Sequence, residues 1–225
     1  MNADFGSNIQ KISIRHKQQV MQDHAKLIHD VEKTIRYQYE LYQKMPYYLA
    51  TKFPKFKKEL ISLADKRISI SHGLYRQNFI TIYTAYELIL IGRIATSNIL
   101  VRKIHESIVR QYYIGLCDEE AFTEYLELSQ KNYSKLSRKD KIKLSHGNYK
   151  KELYDGAALK KMASIYSELS YFTHPTWSTI LDMENYEKER IADSLIKLRT
   201  NSLFNVLSYC EVYRCDKNCY EILSV

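Results

Sequence analysis

The sequence predicts an all-α fold, on the grounds of its composition and its periodicity. The 225 residues include six glycines and three prolines, too few for the many turns of an all-β protein. Hydrophobic residues make up 45% of the chain, which is enough for a buried core. Apolar residues recur at steps of three and four over long segments, as they do on the buried face of a helix. We therefore expect a helical bundle with a long N-terminal helix.

The long N-terminal helix is expected over residues 8–44. One face carries apolar and aromatic residues at helical spacing, namely Ile28, Val31, Ile35, Tyr39 and Tyr42. Pro46 and Pro54 predict a break after this helix. On this basis residues 1–54 form the long helix and a linker, residues 55–225 form the bundle, and the two pack as one unit.

Three helical segments are expected after the break. The first covers residues 55–70 and ends at the "SHG" that follows, with Gly73 as its C-terminal cap. The two most apolar segments of the chain come next, at about 74–92 and 97–116. Gly92 and the polar "ATSN" close behind it predict a bend or a separation between these two helices.

Asp118 is typical of a helix N-cap, because its carboxylate can accept a backbone N–H. Acidic residues at the next two positions also favour the first turn of a helix. We expect that helix to reach Gln130 and to be followed by a polar, basic loop over 131–155 that holds one short helix.

Two further helices complete the predicted bundle. One resumes near residue 156 and ends before His174, where Pro175 disfavours the α conformation. The last spans about 184–213 and carries one stripe at helical spacing, formed by Ile191, Leu195, Leu198, Ser202, Val206, Tyr209 and Tyr213.

The net charge of +8 is concentrated in two segments. Residues 131–152 carry eight Lys or Arg and two acids, and residues 52–67 carry six Lys or Arg and two acids. Concentrated positive charge suits a phosphate-bearing partner such as RNA, although a lysine-rich loop can serve solubility instead. If the first segment binds RNA, the candidate contacts are Arg138, Lys139, Lys141, Lys143, Lys150 and Lys151.

The segment "VRKIHESIVRQYY" places a candidate phosphate-binding arginine on a helix. Arg102 and Glu106 are four residues apart, so their side chains can pair beside the apolar face of the helix. The apolar flanks predict that the pair is partly buried. Two interpretations are open: the pair fixes helix packing, or Glu106 aims Arg102 into a cleft where the guanidinium holds a phosphate.

The segment "YSELSYFTHPTWS" contains a second candidate, His174, which is expected just past a helix C-terminus. The negative end of a helix favours the cationic form of histidine, so His174 can titrate near neutral pH and act as a general acid or base. The alternative is that His174 caps the last carbonyls of the helix while Trp177 packs over it.

"LVRKIHES" and "LSYFTHP" together resemble segments of poorly characterised bacterial helical proteins. These carry an apolar Arg-x-x-x-Glu helix and a later Leu-Ser-x-x-x-His-Pro segment, and they look akin to the HEPN superfamily of helical bundles. The resemblance covers about residues 80–180. Many HEPN proteins are metal-independent ribonucleases of toxin–antitoxin, CRISPR and phage-defence systems, and others bind nucleotides or partners without catalysis. The resemblance implies a HEPN-like core, a homodimer, and a site formed by Arg102, Glu106 and His174.

The HEPN ribonuclease signature is an Arg followed by a His after four to six residues. Arg67 and His72 in "RISISH" match this spacing. A match is expected by chance in a chain with this many arginines, and Ile68 stands where active members of the family carry a polar residue. Arg67 and His72 are therefore the lesser alternative pair.

No metal site or cofactor is expected. The cysteines Cys210, Cys215 and Cys219 do not show the paired C-x2-C spacing of zinc sites, and no phosphate-binding loop motif is present. No apolar run reaches the roughly 18 residues of a membrane span. The N-terminal "MNADFGSNIQ" lacks the pattern of a secretory signal, so we expect a cytoplasmic protein without membrane contact.

The sequence thus leads to two hypotheses of function. The first is an RNA-directed effector of a bacterial defence or toxin-type module, with metal-independent ribonuclease activity as its candidate chemistry. The second is a non-enzymatic helical module that regulates or assembles with a protein or nucleic-acid partner. In both cases the partner can be a protein that is encoded nearby.

Overall fold

The computed structural model describes residues 14–52, 63–145, 164–170 and 188–213. Within these ranges the chain is helical almost throughout and contains no β-strand, so the all-α prediction is confirmed. The helices are α1 (14–23), α2 (Ala25–Lys52), α3 (Leu63–Leu90), α4 (Ile94–Leu116), α5 (Glu119–Gln130), α6 (Arg138–Lys143), α7 (164–170) and α8 (Lys188–Tyr213), with a 3-10 turn at Tyr133–Lys135. None of the helices in the described ranges is both long and apolar enough to cross a membrane.

Helices α3, α4 and α8 pack on one another, and α2 packs mainly on α8. One hydrophobic cluster joins side chains from six helices, among them Val20 of α1, Val31 of α2, Ile104 of α4 and Leu169 of α7. Each fully buried aliphatic side chain of this kind contributes about 1.5–3 kcal/mol. The N-terminal helices and the bundle therefore both contribute to this hydrophobic cluster.

A row of buried polar side chains sets the register of the central helices. Ser194 of α8 donates to Asn98 of α4 over 3.2 Å, and His105 of α4 bonds Asn201 of α8 over 3.1 Å. Both pairs are 96 residues apart in the chain, so α4 and α8 run parallel. Because an unpaired buried amide is costly, such pairs strongly disfavour a shift of one helix along the other.

The helix expected over residues 8–44 is divided at His24 into α1 and α2, and α2 departs from the prediction in two further ways. It does not end before Pro46 but continues to Lys52. Proline removes one hydrogen bond from a helix, yet the bonds on either side can carry the helix past it. Its buried face also differs, because Gln38 is fully buried whereas Tyr39 is 48% exposed. Gln38 is held there by its amide bond to the Ser202 carbonyl of α8.

The predicted helix end at Gly73 is wrong, because α3 runs through it without interruption. The cost of a glycine inside a helix is about 1 kcal/mol, and the burial of Tyr75 in the next turn outweighs it. The true end is at Gly92, which has a φ of 76°. There the Gly92 and Arg93 amides bond the carbonyls of Ile89 and Leu88, a Schellman C-cap.

Other local predictions agree with the structure. Asp118 caps α5, since its carboxylate accepts from the Ala121 amide over 2.8 Å, and α5 ends at Gln130 as expected. The described part of the basic loop contains the short helix α6. The predicted stripe of α8 is buried from Ile191 to Tyr209.

Candidate functional site

The Arg102–Glu106 pair exists, and a third residue completes it. Arg102 Nε donates to Glu106 Oε1 over 3.1 Å, as the spacing of four residues predicts. Tyr166 of α7 joins the pair: its hydroxyl accepts from an Arg102 Nη over 3.1 Å and donates to Glu106 Oε1 over 3.1 Å. The guanidinium also lies 5.1 Å from the centroid of the Tyr166 ring. We call these three residues the α4–α7 cluster.

The α4–α7 cluster is partly open to solvent. The side chain of Arg102 is 18% exposed and that of Glu106 is 34% exposed. Burial would lower the pKa of Arg102, but the hydrogen bonds to Tyr166 and Glu106 outweigh burial and raise it. The pKa of the Tyr166 phenol is raised by burial and by the nearby charge of Glu106. Arg102 is thus a fixed cation whose orientation two neighbours set, which suits either interpretation of the pair.

Buried polar groups next to the cluster fix the His105 ring of α4 against the Tyr166 ring of α7. The His105 ring lies 5.4 Å from the Tyr166 ring and is fully buried. Asn201 donates its amide to the Lys197 carbonyl, so its oxygen accepts from His105. His105 therefore carries its proton on Nδ1. The orientation of the ring against Tyr166 is set by this chain of bonds from α8.

Lys197 of α8 ties α7 to the bundle. Its side chain is 8% exposed, and its ammonium lies 2.8 Å from Glu168 of α7 and 2.5 Å from Asp193 of α8. Burial would lower the pKa of Lys197, but the two carboxylates outweigh it and raise the pKa. A buried lysine needs such partners, so α7 is held by a charge pair as well as by Leu169.

His174 lies outside the described residues, and so does Trp177. The described part of α7 ends at Ser170, four residues before His174 in the sequence, and the Ser170 hydroxyl donates to the Tyr166 carbonyl. The structure therefore brings Arg102 and Glu106 to the helix that precedes His174. Sequence reasoning missed Tyr166, although the Ile165 and Leu169 spacing marked the inward face of its helix.

The basic segment is the second candidate region, and its described part is residues 131–145. Arg138 and Lys139 are exposed at the start of α6. The Lys141 ammonium lies 5.4 Å from the centroid of the Tyr133 ring. Lys143 is paired with Glu124 of α5, which raises its pKa. Lys150 and Lys151 lie outside the described residues.

An acidic edge borders the basic segment. Acidic side chains of α5 and of its N-cap line an open pocket there: Asp118, Glu119, Glu120, Glu124 and Glu127. A polyanion is repelled by this edge and attracted by the lysines beside it. Any nucleic acid on the basic segment is therefore expected to follow α6 and the 3-10 turn rather than α5.

Arg67 and His72 do not form one site. The Arg67 guanidinium donates to the carbonyls of Ile114 and Cys117 over 2.6 and 2.7 Å, which caps the C-terminus of α4. His72 bonds the Tyr209 hydroxyl over 2.9 Å and stacks on Tyr42. Burial and the charge of Arg76 lower the pKa of His72. Each residue of this pair serves a separate packing contact.

Among the described residues, no group of three or more His, Cys, Asp or Glu side chains could hold a metal ion. Cys117 and Cys210 lie in these ranges and form no disulfide there. Burial raises the pKa of the Cys117 thiol, which disfavours the reactive thiolate. Cys215 and Cys219 lie outside the described residues.

Comparison with protein-family models, with curated proteins and with solved structures finds no match to this chain. The HEPN-like resemblance therefore stays a prediction.

Proposed function

We propose that this protein is a cytoplasmic RNA-directed effector of a defence or toxin-type module, with the basic segment as its RNA contact. The observation that carries the proposal is the charge of residues 131–145. Six Lys or Arg stand there against one acid, Asp140. Lys143 forms an ion pair with Glu124. Among the described residues, neither Arg138 nor Lys139 forms an ion pair with an acidic side chain. Exposed, uncompensated cations attract phosphate and release counterions when it binds.

The α4–α7 cluster is the candidate reaction centre of this proposal. Arg102 can balance the negative charge that develops on phosphoryl oxygens, and Glu106 and Tyr166 fix the direction of its side chain. In the proposed cleavage the ribose 2′-hydroxyl attacks the phosphorus and the bond to the 5′-oxygen breaks. His174 moves the proton as general acid or base. Ile114 lies in the last turn of α4, the turn nearest α5. Because a helix rises about 1.5 Å per residue, Arg102 lies about 18 Å from Ile114 along the axis of α4.

A cleavage assay tests the reaction. Purified protein with tRNA and with a single-stranded RNA is expected to give cleavage that persists in EDTA, because the proposed groups need no metal. His174→Ala is expected to abolish it while the far-UV circular dichroism melt is unchanged. His29→Ala is the matched control, since His29 is exposed on α2. Cleavage retained by His174→Ala at the wild-type rate contradicts the assignment of His174.

A non-enzymatic module is the second candidate, and the closed bonding of the α4–α7 cluster favours it. Arg102, Glu106 and Tyr166 each bond the other two, as groups that fix helix packing do. This candidate predicts RNA binding that weakens steeply with salt and shows no turnover. Inertness toward RNA points instead to a protein partner encoded nearby or to a second copy of the chain. Light scattering coupled to size exclusion measures the proposed homodimer directly.

A further inference from the structure

Tyr133 is an aromatic ring that the fold leaves in solvent. It is 62% exposed, more than any other large hydrophobic side chain whose exposure the structure describes. It lies in the 3-10 turn between α5 and α6, within the basic segment. Rings such as Tyr75 and Tyr209 fill the core of the same protein. Packing does not require the Tyr133 ring, so a ligand with an apolar face can reach it.

The backbone that carries Tyr133 is held in place. The Asn132 carboxamide oxygen accepts from the Ser134 amide over 3.0 Å and from the Ser134 hydroxyl over 2.8 Å. Leu136 is buried directly after the turn, and Ser137 caps α6 through the Asp140 amide. A ring on a fixed turn loses little conformational freedom when a ligand stacks on it.

One cation lies near the exposed ring, and two more are close to it in the sequence. Lys141 lies near the ring, and Lys135 and Arg138 are close to Tyr133 in the sequence and exposed. An aromatic ring beside several cations is the combination that binds single-stranded nucleic acid, because bases stack on the ring while phosphates meet the cations. A duplex does not offer this contact, since its bases are stacked on one another and the major groove of A-form RNA is deep and narrow.

We propose that Tyr133 stacks on an unpaired base of the bound RNA, with Lys141 and Arg138 on the adjoining phosphates. The inference rests on the proposed RNA binding by the basic segment. It adds the class of ligand: single-stranded RNA or an unpaired loop, in preference to a duplex. Stacking needs the ring and not the hydroxyl, so it also predicts which substitutions are tolerated at residue 133.

Fluorescence anisotropy with a labelled 12-nucleotide single-stranded RNA, and with the blunt duplex of the same sequence, tests the inference. Tyr133→Leu is expected to weaken single-strand binding by roughly 5- to 150-fold, the range for one lost base–aromatic stack. Tyr133→Phe is expected to bind as the wild type does. Tyr83→Leu is the matched control, because Tyr83 is an exposed tyrosine of α3 outside the basic segment.

The outcomes separate this inference from the proposed function. If Tyr133→Leu binds as the wild type does while Lys139→Gln with Lys141→Gln weakens binding, RNA binding stands and the stacking role is wrong. Equal affinity of the wild type for the duplex and the single strand also overturns the inference. If the wild type binds neither RNA, both proposals fail. Equal binding of single-stranded DNA supports the stacking role, since every base offers a π face.

Discussion

The α4–α7 cluster and the basic segment each place a cation over a tyrosine ring, yet the two pairs have different surroundings. Arg102 lies 5.1 Å from the Tyr166 centroid, and Lys141 lies 5.4 Å from the Tyr133 centroid. The first pair is half-buried and bonded to a carboxylate, whereas the ring of the second is exposed. Such a contact contributes about 0.5–1 kcal/mol when exposed and about 2 kcal/mol when desolvated. The same kind of contact is therefore half-buried and hydrogen-bonded in one place and leaves its ring exposed to solvent in the other.

The largest expected difference between the two regions is in stability. Tyr166→Ala removes a half-buried ring that contacts Arg102 and His105, and we expect it to lower the free energy of unfolding by about 2–3 kcal/mol. Tyr133→Ala is expected to stay within about 0.5 kcal/mol of the wild type because its ring is exposed. Urea unfolding followed by far-UV circular dichroism measures both. Equal losses of stability in the two variants would show that the Tyr166 ring contributes no more to stability than the exposed Tyr133 ring does.

A smaller difference is expected when one carboxylate of each region is neutralised. Glu106→Gln weakens the charge-assisted bond to Arg102, and the expected loss is about 1 kcal/mol, with little dependence on salt. Glu124→Gln is the matched variant at the exposed Lys143 pair, where we expect no measurable loss of stability. The same urea titration in low and high salt compares them. A larger loss of stability in Glu124→Gln than in Glu106→Gln would contradict a half-buried Arg102–Glu106 pair and an exposed Lys143–Glu124 pair.

The smallest expected effect is a dependence of stability on pH, and it arises at His72 of α3, outside both regions. Burial and Arg76 lower the pKa of His72, which faces Tyr42 of α2 and Tyr209 of α8, so the folded state favours its neutral form. The unfolded state then binds more protons below about pH 6.5, and stability is lost as pH falls through that value toward the folded pKa. Thermal melts from pH 7.5 to 5.0 measure the loss.

His72→Gln is expected to flatten this dependence in part, because burial also lowers the pKa of His16. An unchanged slope in His72→Gln would exclude His72 as a source of the pH dependence.

The local half of the α4–α7 cluster was predictable from the sequence, and the rest was not. Arg102 and Glu106 pair because helical spacing brings residues four apart together, whatever surrounds them. Tyr166 is 60 residues from Glu106 in the chain, and the packing of α7 on α4 alone brings it there. The spacing of Arg67 and His72 matched a family signature, yet tertiary contacts draw the two side chains to different helices.

The errors in helix limits have a related cause. Pro46 and Gly73 are residues that disfavour a helix by a few kcal/mol or less, and single-sequence rules treat them as ends. Helices α2 and α3 continue through them, and α3 is held there by buried residues such as Tyr75. Asp118 and Gly92, by contrast, act through hydrogen bonds within a few residues, so their roles follow from the sequence.

The sequence by itself determined the helical class, the cap at Asp118, the i,i+4 pair of Arg102 with Glu106 and the basic character of residues 131–145. Each of these depends on interactions within about one or two helical turns. Only the tertiary structure decided that Tyr166 closes on Arg102 while Tyr133 stays exposed. The exposure of a side chain depends on which helix covers it, and that is set by the packing of the whole core.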